Sequence, residues 1–95
     1  MLRISEVAEN GMGVGTLRLE GHVTGPWVEE LRRVCAEKLG ANGHARALVL
    51  DLTGVAFLDA NALSLFRDLA ARHVVFTNAS PFIAEQLRGV ADVQR

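Results

Sequence analysis

The chain has 95 residues, a length that fits one domain and is expected to form a single unit over 1–95. Apolar residues make up 49% of it and charged residues 22%, a balance that excludes a disordered chain and supports one buried core. The formal net charge is −1, and Arg32, Arg33 and Lys38 interleave with Glu29, Glu30 and Glu37. That mixture excludes a phosphate-reading basic stripe, so no nucleic-acid partner is expected.

Leu2 to Val7 reads as a first strand with Leu2, Ile4 and Val7 as its apolar contacts, and Asn10-Gly11 opens a glycine-rich turn. Thr16 to Val23 is the clearest strand. Its Leu17, Leu19 and Val23 alternate with Thr16, Arg18, Glu20 and His22, so one face is buried and one is wet. Thr24-Gly25-Pro26 starts a helix, because Thr24 or Gly25 can cap and Pro26 gives up only an N–H that has no partner in the first turn. Trp27, Leu31, Val34, Cys35 and Leu39 then form an apolar stripe, with Glu29–Arg33 and Arg33–Glu37 as i,i+4 pairs outside it. Gly40 and Asn42-Gly43 stop that helix.

Ala47-Leu48-Val49-Leu50 is a continuous apolar run, expected of a strand covered on both faces and ending at Asp51. Asp59 is a natural N-cap for a second helix from Ala60 to about Arg72. Leu63, Phe66, Leu69 and Ala70 cluster with Ala62 on its inner side, opposite Asn61, Ser64, Arg67 and Asp68. Val74-Val75-Phe76 is a further strand, Asn78-Ala79-Ser80 a turn, and Pro81 opens a short helix carrying Phe82, Ile83 and Leu87. The β-β-α-β-α-β-α order predicts an α/β fold, a mixed sheet of four to five strands flanked by helices.

The segment from Leu48 to Asp59, with Asp51-Leu52-Thr53-Gly54-Val55 after a buried strand and Asp59 opening a helix, resembles the signature of STAS domains. These are the sulphate-transporter and anti-sigma-factor-antagonist modules. Leu17 to Gly21, Thr24-Gly25-Pro26-Trp27 and Thr77-Asn78-Ala79-Ser80-Pro81 match the family's further landmarks in order. The resemblance implies a STAS-like fold and a non-catalytic, cytoplasmic protein-binding module. Its partner would be an anti-sigma factor of the kinase-like type; the alternative is an accessory role beside a membrane transporter.

In the family an Asp-Ser-Ser-Gly tetrad carries a phosphorylation switch on its second serine. The neutral serine permits binding of the partner kinase, and the added charge of the phosphate releases it. Here the tetrad is Asp59-Ala60-Asn61-Ala62 and Thr24 stands where many relatives place an aspartate, so no phosphorylation is expected at Asn61. Asn61 is expected to act as a permanently uncharged stand-in for the unphosphorylated serine, with binding constitutive or regulated elsewhere. The plainer identity for it is a solvated helix-start residue. Asp59, Ala60, Asn61, Ala62, Ser64 and Thr24 form the candidate partner surface, and Ser64 is an alternative phosphoacceptor or an ordinary surface serine.

Other chemistry finds little support. Gly11-Met12-Gly13-Val14-Gly15 is followed by a strand rather than a helix, which suits a hairpin and leaves nucleotide binding a distant alternative. His22, His44 and His73 lack metal-ligand spacing, and Cys35 stands alone on an apolar stripe. Neither a metal nor a cofactor is expected, and the chain is not expected to be an enzyme. The N-terminal residues lack the apolar core of a signal peptide, and no apolar run approaches a membrane span, so direct membrane insertion is not expected. A homodimer is left open.

Overall fold

The computed structural model describes residues 2–9, 14–39, 47–90 and 93–94. Its elements are β1 (Leu2–Glu9), β2 (Val14–Val23), α1 (Pro26–Leu39), β3 (Ala47–Leu58), α2 (Ala60–Ala71), β4 (Val75–Thr77), α3 (Pro81–Gln86) and β5 (Val93–Gln94). They form one five-stranded mixed sheet in the order β1-β2-β3-β4-β5. β1 and β2 pair antiparallel; every later pair is parallel and is joined through a helix, as parallel neighbours require. β5 is the fifth strand, and it adds a last β to the order expected from sequence. The Asn10-Gly11 turn, Gly40, Asn42-Gly43 and His44 lie outside the described residues.

One side of the sheet carries the core. Leu17 and Leu19 on β2, Leu48, Leu50 and Leu52 on β3, and Phe76 on β4 are buried there. They share one cluster with Leu31 of α1, Phe66 of α2 and Ile83 of α3. Burying a side chain of this size contributes roughly 1.5–3 kcal/mol. Phe66 stacks on Phe76 with ring centroids 5.0 Å apart, fixing α2 against the strand that follows it. Among the described residues, no helix is long and apolar enough to cross a membrane.

Several expectations need correction. β3 does not end at Asp51 but runs on to Leu58. Ala47 and Val49 are only half-buried, because they alternate with the core residues on the pleat. β3 stays close to β2 beyond Asp51 because Gly54 faces Glu20: a Cβ on Gly54 would stand 2.6 Å from Glu20 Cγ and 3.0 Å from its Cβ. Asp51 itself is buried. It accepts hydrogen bonds from the N–H and hydroxyl of Thr53 and pairs with Arg18 at 3.5 Å. Its desolvation raises the carboxyl pKa, but Thr53, Asn78 and Arg18 together hold it below the ordinary value.

Val7 is exposed because it falls where the β1–β2 register shifts, between Glu6 and Ala8. On α1, Val28 joins Leu31 and Cys35 in the core, while Trp27, Val34 and Leu39 pack at its margin. Arg33 pairs with Glu30 and Glu37, and Glu29 pairs with Arg32 rather than with Arg33. The buried face of α2 is Ala62, Leu65, Phe66 and Leu69, so it is centred closer to Leu65 than to Leu63. β4 starts at Val75, with buried Val74 just before it. Ser80 caps α3, its hydroxyl accepting from Ile83 N–H at 3.3 Å, and Phe82 of that helix is exposed rather than packed.

Candidate functional site

β2 and β3 are adjacent and parallel, and their last residues are level, with Val23 opposite Leu58. Each strand leads directly into a helix, so α1 and α2 begin side by side beyond the carboxyl ends of the sheet. Ligands of open α/β sheets gather at this end of the strands.

Asp59 ties the two helix starts together. Its Oδ1 accepts from Ala62 N–H at 2.8 Å, capping α2, and its Oδ2 accepts from Gly25 N–H at 3.0 Å, just before α1. Its own N–H donates to Val23 C=O at 3.2 Å. The bonds from Gly25 and then Ala62, with Asn61 N–H contributing less, hold the Asp59 carboxyl below its ordinary pKa against a small desolvation cost. Gly25 has φ +55, a conformation that glycine adopts without penalty, and so turns its N–H toward the carboxylate. Asp59 is thereby a positioning residue: both of its oxygens are engaged within the chain.

Between the two helices lies a surface groove of about 280 Å³ lined by Gly25, Val28, Glu29, Arg32, Asn61 and Ser64. Ala60, Asn61 and Ser64 are exposed, and the first turn of α2 presents no charged side chain outward. Arg32 spans the groove, its guanidinium 3.6 Å from Glu29 and 3.7 Å from Asp68.

The six sequence-selected residues thus divide. Asn61 and Ser64 line the groove, Ala60 is exposed beside them, and Asp59 holds the scaffold. Ala62 is corrected to a core position: its side chain is fully buried, and its N–H is the group that receives the Asp59 cap. Thr24 is half-buried and does not line the groove; its carbonyl accepts from Trp27 N–H at 3.1 Å. Trp27 is half-buried against the core. Cys35 is buried, and desolvation pushes its thiol up to about 12, partly offset by the Arg72 charge, which makes it inert filler. Sequence reasoning missed the α1 wall of Gly25, Val28, Glu29 and Arg32. The signal for it was the topology: two successive strand–helix units on parallel neighbours bring their helix starts together.

No protein-family model matches the chain, and no curated protein matches it. Among solved structures, the anti-sigma factor antagonist SpoIIAA in its unphosphorylated form matches with a TM-score of 0.69. The match covers 100% of this chain and 88% of that one, at 17% sequence identity. A likeness at that identity fixes architecture and leaves activity to the site. The chain has the same fold as that structure, the architecture that the resemblance of the segment from Leu48 to Asp59 implied.

Proposed function

We propose that the chain is a non-catalytic, cytoplasmic protein-interaction module of the anti-sigma-antagonist type, one domain that docks its partner on the first turn of α2 and the adjoining groove. The observation that carries this reading is the exposed, uncharged Ala60-Asn61-Ser64 surface, held in place by an Asp59 carboxylate whose oxygens are both occupied. A partner covering that surface desolvates no formal charge from the first turn of α2. Asn61 provides an amide donor and acceptor where a phosphoserine would place an anion, so docking does not depend on a switch at that position.

The experiment is a titration of the purified protein against the partner recovered on it from its native cell, with Asn61→Glu as the variant. The added carboxylate must be desolvated at the contact, which weakens binding about tenfold or more. Affinity within about twofold of the parent protein would remove the reading, since a contact at the rim or elsewhere tolerates a charge.

A further inference from the structure

Arg32 and Arg33 are neighbours on α1 with opposite situations. Arg33 is gripped by Glu30 and Glu37, the latter at 2.6 Å. Arg32 reaches Glu29 and Asp68 only at 3.6 and 3.7 Å, beyond hydrogen-bond length, and its side chain is 44% exposed. A guanidinium has five N–H donors in a planar fork that matches a carboxylate. Arg32 therefore faces the groove with donors to spare, beside the amide of Asn61 and the hydroxyl of Ser64. Its two long ion pairs lie on the surface, where such contacts contribute little and are readily exchanged.

We propose that the groove recognises an acidic side chain of the protein partner, an Asp or Glu carboxylate taken by the Arg32 fork with Asn61 and Ser64 at its rim. This rests on the reading that the groove is the docking surface, and it specifies the chemistry of what docks. The carboxylate displaces Glu29 and Asp68 from Arg32 and gains paired, charge-assisted hydrogen bonds in their place. The same arrangement accounts for the expected harm of Asn61→Glu, which would put a competing carboxylate beside Arg32.

The test follows the Arg32 Nε–H and Asn61 side-chain amide signals by NMR while the labelled protein is titrated with N-acetyl-Gly-Glu-Gly-amide, its Gln counterpart or its Lys counterpart. The glutamate peptide is expected to shift both signals saturably and at least about fivefold more tightly than the other two. Arg32→Gln abolishes the response, and Glu29→Gln, which removes a competitor, tightens it severalfold. An equal response to the lysine peptide, a glutamate response unchanged in Arg32→Gln, or no response up to about 0.5 M, well above the roughly 0.2 M at which an interaction of about 1 kcal/mol half-saturates, overturns the proposal. Its failure is separable from that of the docking reading. A partner protein that tolerates Arg32→Gln but not Asn61→Glu removes the acidic anchor alone, whereas indifference to both removes the docking surface.

Discussion

Replacing Asp59 by alanine removes both of its side-chain bonds, the one that caps α2 and the one that ties α2 to the start of α1. The cap on Ala62 N–H is lost at a typical cost of about 1 kcal/mol. The Gly25 bond has a charged acceptor but is exposed, so it adds about 1 kcal/mol, below the usual range for charged partners. The sum is about 2 kcal/mol, a fall in Tm of roughly 8–16 °C for a domain of this size. Asp59→Asn keeps one acceptor oxygen and turns an amide NH₂ toward the other N–H, so it should lose about half as much.

Urea unfolding at several pH values isolates the electrostatic part. The folded pKa of Asp59 lies below its ordinary value, so its contribution is fully present above about pH 4 and is lost as pH falls through the folded pKa. The gap between parent and Asp59→Ala should be constant from pH 7 to 5 and narrow below pH 4. A gap under about 0.5 kcal/mol at pH 7, the scatter of ordinary surface substitutions, would refute the clamp. So would a gap that widens in acid.

Leu65→Ala should destabilise by about 2–5 kcal/mol and Leu63→Ala by less than half as much, read from urea midpoints, because Leu65 is the core residue and Leu63 is at the margin. Gly54→Ala should cost about 1–3 kcal/mol through its clash with Glu20. Combining it with Glu20→Ala, which removes the nearest clashing atom, should recover part of that loss in the same assay. Cys35 should resist a thiol reagent at pH 8 in the native protein and react only as fast as the chain opens, since its thiol is buried and pushed up to about 12.

The reach of sequence reasoning followed the strength of local signals. Alternation over Leu17, Leu19 and Val23 placed β2, and Asp59 before an apolar helix placed the start of α2, because each signal is set by neighbours in the chain. The errors have tertiary causes. β3 continued past Asp51 because β2 lay beside it and Gly54 allowed the contact, which only the pairing reveals. The buried face of α2 shifted toward Leu65 because the site facing the sheet and α1 was decided by packing, not by the wheel alone. Asn61 was legible from the family tetrad and Ser64 from its place on the outer side of the same helix, whereas Arg32 and Glu29 were read only as part of a mixed-charge helix. They are solvated, but they also form the opposite wall of the groove.

The most direct test of the account is a hydrogen-exchange footprint of the protein with and without its bound partner. New protection should concentrate in the start of α1, from Gly25 to Arg32, and in the first turns of α2, from Ala60 to Ser64. Protection confined to β1 or to the sheet face carrying Arg18 and Asp51, with those helix starts unchanged, would contradict it.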